Sequence, residues 1–184
     1  MRAVLDACVI YPTVLREILI GVAARGVYEP FWSDRILREW VLATRKLGPL
    51  AMAQAEGEAA LMKTAFPRAM VREHPSIEAR VLLPDVGDHH VLAIAIAAHA
   101  DCIVTFNAKD FPRHVLAEEG IDRRDPDSLL WQLWSHHPGE VAGVVQAVHA
   151  TAERMAGQDL PLKALMKRAQ LPKLAKAMLG ASRP

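Results

Sequence analysis

The chain has 184 residues, of which 52% are hydrophobic and 23% charged. That composition supports one packed domain, or one domain with a small appendage, and excludes a disordered chain. The longest apolar run, residues 91–98, falls far short of the roughly twenty residues of a membrane span. Asp6 interrupts the apolar N-terminus before any signal pattern develops, so a cytoplasmic protein with no membrane partner is expected. The formal net charge of +1 is unevenly spread. Residues 160–184 carry Lys163, Lys167, Arg168, Lys173, Lys176 and Arg183 and no acid, while all 21 acids precede them. Such asymmetry reads either as an interaction tail or as a solvated helical face.

The two cysteines, Cys8 and Cys102, are too few for a disulfide framework and lack metal-site spacing. They read as buried reduced thiols. The pairs His89-His90 and His136-His137 are adjacent, so their rings do not face one another on a helix and do not spell a zinc site. No phosphate-loop, dinucleotide or nucleophile-elbow motif is present.

Residues 2–5 form a short apolar run closed by Asp6, the pattern of a buried strand. Pro12 suits a first helical turn, and residues 14–24 carry helical apolar spacing up to Gly26. Residues 30–32 read as a second extended piece. Ser33 then serves as N-cap for a helix over 34–47 ending at Gly48. An Ala- and Met-rich helix follows over 50–72, broken at Pro67. Residues 80–83 are a third strand candidate. Residues 85–88 turn into a helix over 91–100 whose apolar side chains cover every face, which predicts burial nearly all round. Residues 102–106 are a fourth strand and residues 120–122 a very short fifth. From Ser128 onward the strand signals stop. Helical spacing continues there, with Pro161 and Pro172 opening two short amphipathic helices.

The alternation of strands and helices predicts an α/β fold: a three-layer α/β/α domain around a parallel four- to five-stranded sheet, over residues 1–126. Residues 127–184 are expected to form a C-terminal α-helical extension.

Ligands of open α/β sheets bind beyond the carboxyl ends of the strands. Asp6, Asp85, Asp88 and Asp110 follow strand candidates, with Ser33, Thr105 and Asn107 beside them and Glu39 within two turns of the helix that Ser33 begins. Clustered carboxylates repel unless a cation lies between them, and a hard divalent ion with oxygen ligands resolves the repulsion. The chemistry that fits is metal-assisted phosphodiester hydrolysis with water as nucleophile. Taken singly, each residue also has a structural reading: Asp6 as a turn residue or N-cap, Asp88 as N-cap of the buried helix, Glu39 as partner of Arg35, Asp110 as a loop residue. Their joint placement carries the functional reading.

Four segments, in order, resemble one family. Val4-Leu5-Asp6-Ala7-Cys8-Val9-Ile10 looks like the opening strand of PIN-domain nucleases. Ser33 with Glu39 is similar to their second acidic position. The run from Asp85 to Ala95, Asp-Val-Gly-Asp-His-His-Val-Leu-Ala-Ile-Ala, matches their third, and Ile103 to Pro112 resembles their closing strand and loop.

The resemblance implies a PIN-like domain with Mg²⁺- or Mn²⁺-dependent ribonuclease activity, most often that of a VapC-type toxin paired with a cognate antitoxin. It implies Asp6, Glu39 and Asp88 as metal-binding catalytic acids. One departure stands out. Many members carry Thr-x-Asp-x-Asp after the last strand, whereas here Asn107 takes the place of the first of those acids and Asp110 lies one residue further on. Either Asp110 serves as the fourth acid or Asn107 supplies a neutral contact, so three carboxylates around one metal are expected.

Thr105 and Ser33 are expected to support the site, and Arg35, Arg38, Arg45 and Lys46 on one helix arc to attract RNA. The apolar faces of helices 12–25 and 50–66 suit a homodimer or antitoxin surface, or simply core. Two other readings remain. A catalytically weak PIN-like module would act through protein partners. A Mg-dependent phosphohydrolase of the aspartate-nucleophile kind would need a second Asp where Cys8 stands.

Overall fold

A computed structural model describes residues 1–181. In chain order its elements are β1 (Arg2–Leu5), α1 (Ala7–Ile10), α2 (Thr13–Ala24), β2 (Glu29–Phe31), α3 (Asp34–Thr44), α4 (Pro49–Ala65), α5 (Pro75–Glu78), α6 (His89–Ala97), β3 (Cys102–Val104), α7 (Arg113–Glu118), β4 (Asp122–Arg124), α8 (Pro126–His136), α9 (Pro138–Ala156), α10 (Leu162–Arg168) and α11 (Pro172–Ala181). Short 3-10 turns occupy Arg45–Leu47, Pro67–Ala69 and Val86–Asp88.

The described residues divide into two compact units, one of residues 1–11 and 29–124 and one of residues 12–28 and 125–181. Helix α2 groups with the C-terminal helices, and its neighbours in sequence do not reveal that pairing.

In the first unit four parallel strands lie in the order β2-β1-β3-β4. The α/β class with a parallel sheet is as the alternation predicts. Val4, Leu5, Ile103 and Val104 are buried at the centre of the sheet, as the short uninterrupted apolar runs require when helices cover both faces. Helix α6 packs on β1 and β3. Its residues from His90 to Ala95 are all buried, in agreement with its apolar character on every side. Ser33 caps α3, its hydroxyl accepting from the Ile36 N–H at 3.2 Å, and α3 ends before Gly48, whose φ of 106° excludes most side chains.

Residues 80–83 do not form the third strand that their sequence suggests. The backbone turns at residues 79–80 and runs irregularly to residue 83. Leu82 is exposed, and the Leu83 N–H bonds to His89 Nε2 at 3.1 Å instead of to a strand. The place beside β1 is taken by β3.

The second unit is helical. Helix α9 packs on α2 and α8, and α11 on α8 and α10. Gly21 on α2 lies so close to α9 that a Cβ would come within 2.6 Å of Val144 Cγ1, a separation only glycine tolerates without a shift. The N-terminus of α11 is closed by Asp127 of α8, whose carboxylate oxygens accept from the Lys173 and Leu174 N–H groups at 2.7 and 2.9 Å. Asp127 is 9% exposed, so these bonds satisfy orphan helix donors away from most of the solvent. Replacing Asp127 with Ala is expected to cost about 2–3 kcal/mol, since it removes two charge-assisted bonds and a favourable helix-end charge. Asn is expected to recover part of that loss. The midpoints of denaturant unfolding for the two variants check both statements.

Candidate active site

Strand β1 has β2 on one side and β3 on the other, so the chain changes winding direction at the carboxyl ends of β1 and β3. That is where a parallel sheet opens a crevice. Asp6 stands at the end of β1, its N–H bonded to the Val104 carbonyl at 3.1 Å. Thr105 stands at the end of β3, its N–H bonded to the Arg124 carbonyl at 3.0 Å.

Asp6 is 5% exposed. It occupies the N-cap position of α1, yet its side chain makes no cap bond. Its Oδ2 instead accepts from the Thr105 hydroxyl at 2.7 Å and from the Cys8 thiol at 3.0 Å. Thr105 Oγ1 in turn accepts from the Asn107 N–H at 2.9 Å, and Cys8 Sγ accepts from the Phe106 N–H at 3.3 Å. A two-layer network therefore orients the carboxylate. Burial, reinforced by the neighbouring Asp6, pushes the Cys8 thiol up to about 12. Cys8 is thus a neutral donor to Asp6 and not a nucleophile. Burial likewise pushes Cys102 to about 12, in line with its reading as a core thiol.

Asp88 closes the 3-10 turn before α6. It stands at the N-cap position but makes no cap bond, so the capping role open to it in the sequence is not the one it plays. The turn's side-chain cap comes from Asp85, whose Oδ1 accepts from the Gly87 N–H at 2.7 Å. Asp88 Oδ2 is buried with no hydrogen-bond partner. Its carboxyl is raised from 3.8 to about 6, first by burial and then by the negative charges of Asp6, Asp85 and Asp110, with His90 acting in the opposite direction. The structure therefore brings Asp6, Asp85, Asp88 and Asp110 into one electrostatic neighbourhood.

Glu39 on α3 is reached differently. Its Oε1 lies 3.4 Å from Arg35 Nε and 3.0 Å from His90 Nε2. His90 is 1% exposed, and neither ring nitrogen makes a well-aligned hydrogen bond. It contacts Glu39 and also acts electrostatically on Asp88. In the sequence the His89-His90 pair reads only as no zinc site, and nothing in its spacing pairs His90 with Glu39. Cys8 as a donor to Asp6 was equally hidden, although its place two residues after Asp6 is a usable signal.

Ser33 is fully buried, and its hydroxyl serves its own helix. Asn107 is exposed and Asp110 half-buried, both in the loop that follows Thr105. Arg123 pins that loop to β4 by donating to the Ala108 and Phe111 carbonyls. Among the expected RNA-binding cations, Arg35 is engaged by Glu39 and by Glu78, the latter at 2.9 Å. Arg38 and Arg45 are exposed. Lys46 lies 5.0 Å from the Tyr11 ring centroid. It borders a pocket of about 310 Å³ that Ala7, Cys8, Tyr11, Trp40 and Ala43 also line.

Among the described residues no group of three or more His, Cys, Asp or Glu side chains forms a ready ligand set for a metal. The carboxylates at the sheet edge nonetheless suit a hard divalent cation in chemistry. Their donors are all oxygen, one buried oxygen has no partner, and their mutual repulsion is what a cation relieves.

A family model described as PIN domain matches residues 2–109. The chain belongs to the PIN-domain family. PIN domains are generally a nuclease fold and typically use divalent metals. The matched span holds Asp6, Glu39, Asp88, Thr105 and Asn107, and ends just before Asp110. No curated protein and no solved structure matches the chain. No helix among the described residues is long and apolar enough to cross a membrane.

Proposed function

We propose that this PIN-domain protein is a metal-dependent endoribonuclease that hydrolyses RNA phosphodiester bonds, and that it is the toxin of a toxin–antitoxin pair of the VapC type. Asp6, Glu39 and Asp88 are the acids that would hold one Mg²⁺ or Mn²⁺. When bound, that ion supplies a water of lowered pKa and neutralises charge developing on the phosphate.

The observation that carries this reading is the state of Asp88. A buried carboxylate oxygen lacks any partner within the field of Asp6, Asp85 and Asp110. An arrangement that costs stability is expected at a functional site and is unrewarding elsewhere. The other residues serve these acids. Thr105 and Cys8 hold the Asp6 carboxylate by one oxygen, Oδ2. Asn107 steadies Thr105 through its backbone N–H, so its side chain is not needed as an acid. Asp110 contributes negative charge at Asp88 and is the better candidate for the fourth acidic position. Arg38, Arg45 and Lys46 attract the RNA backbone, with the pocket beside Cys8 and Tyr11 open to a nucleotide. Arg35, already paired twice, contributes less. The remaining parts of the reading are a cytoplasmic setting, a homodimer and a cognate antitoxin.

The test is cleavage of a mixed RNA pool by the purified chain with Mn²⁺, Mg²⁺ or EDTA. Cleavage in either metal and its loss in EDTA are expected. A folded protein that neither cleaves nor gains thermal stability from millimolar Mn²⁺ would overturn the reading and favour a PIN-like module acting through protein partners.

A further inference from the structure

The basic segment forms α10 and α11 over residues 162–181, and between them lies an open groove of about 750 Å³. Its floor is apolar: Pro172, Ala175 and Leu179 line it. Ala175 is 7% exposed and Leu179 40%, so the floor runs from buried core to solvent. Its walls are basic. Lys163 and Lys167, one turn apart on α10, stand on one side and Lys176 of α11 on the other. All three are exposed, and among the described residues none has an ion-pair partner. The segment offers them none, since residues 160–184 contain no acid. Lys173 shows the contrast. It is occupied by the Trp131 face, with Nζ 3.8 Å from the ring centroid, and does not line the groove.

Three like charges facing one apolar trough repel one another, and an anionic occupant relieves that repulsion. An RNA strand would meet the charges but leave the apolar floor unused. A helix with apolar side chains along one face and acids flanking them meets both, the apolar row on the floor and the carboxylates at the lysine rims. We propose that the groove between α10 and α11 is a docking site for an acidic amphipathic segment of a partner protein. The proposal rests on α10 and α11 alone and stands or falls separately from the nuclease reading.

The test uses the full chain and a fluorescent synthetic peptide. The peptide carries leucines at i, i+3, i+4 and i+7 with glutamates beside them, and its control has each glutamate changed to glutamine. Saturable binding of the glutamate peptide, at least about tenfold tighter than the control, is expected, because each exposed charge pair adds a modest screened increment. The combined Lys163→Glu, Lys167→Glu and Lys176→Glu variant is expected to weaken binding by about tenfold or more. Leu179→Asn, which leaves every charge in place, is expected to weaken it several-fold through lost apolar contact. Equal binding of the two peptides, or a Leu179→Asn variant with undiminished affinity, overturns the proposal. So does a single-stranded RNA that displaces the peptide and responds to the lysine changes but not to Leu179→Asn. That outcome would assign the groove to nucleic acid.

Discussion

Asp6→Asn is expected to lower metal-dependent RNA cleavage by at least roughly a hundredfold while the chain keeps its fold. The two halves of that expectation have separate causes. The thiol of Cys8 and the hydroxyl of Thr105 both donate to Oδ2. An asparagine whose amide oxygen takes that place keeps both bonds and the same volume. What disappears is one negative charge at the winding point of the sheet. Asp6→Ala is different, because it strands two buried donors. It should cost about 1–3 kcal/mol of stability as well as activity. Initial cleavage rates and thermal melts of the two variants separate the roles. Asp6→Asn also has a reporter that needs no catalysis. Asp6 is one of the charges holding Asp88 above its ordinary range, so removing it should bring the Asp88 carboxyl downward in an NMR titration. Cleavage at the wild-type rate would overturn the assignment of Asp6.

The parts of this site that could be read from the sequence are those set by local pattern. A carboxylate that closes a short apolar run sits at a strand end, and Asp6 does. A serine before a helical period caps it, and Ser33 does. A run such as that from His90 to Ala95, apolar on all sides apart from its histidine, is buried. What stayed hidden depends on pairing across the chain. Residues 80–83 have strand-like composition, but β3 holds the place beside β1, and the Leu83 amide is taken by His89. Helix α2 follows α1 directly in sequence, yet Gly21 fits against Val144 of α9, more than a hundred residues away. In the cationic arc of residues 35–46 the spacing offers Glu39 as a partner for Arg35, but not the second pairing with Glu78 of α5. The His89-His90 pair could be read only as unsuited to zinc, while the contact His90 makes is with Glu39 of α3. In most of these cases the deciding partner is distant in sequence, and in all of them periodicity carries no information about it.

Asp88→Asn is expected to abolish cleavage and, in metal-free buffer near neutral pH, to raise stability. The sign follows from the direction of the shift. The carboxyl titrates near 6 in the folded chain and near 3.8 when free of its neighbours. Between those values the folded chain holds the proton more firmly than the unfolded one. Stability therefore falls as pH rises through the window from about 4 to about 6, and the deficit persists above it. At full strength a shift of this size would correspond to about 3 kcal/mol. The carboxyl is only half buried, so solvent screening reduces the expected gain in the asparagine variant to the order of 1 kcal/mol. Two measurements decide it. Urea midpoints across pH 4 to 8 should show a falling limb between about pH 4 and 6 in the wild type that is flatter in the variant. Parallel curves would mean that Asp88 carries no such repulsion. Thermal melts with and without millimolar Mn²⁺ should show a rise in the wild type, because a ligand that binds only the folded state stabilises it. The rise should be much smaller in Asp88→Asn, since an amide in place of the carboxylate removes both the unpartnered oxygen and the charge that a cation would neutralise. An equal rise in both proteins would place the cation elsewhere and leave Asp88 without the role proposed for it. A variant that is more stable than the wild type without metal, less responsive to metal and inactive would show that the repulsion among these carboxylates is retained for cation binding.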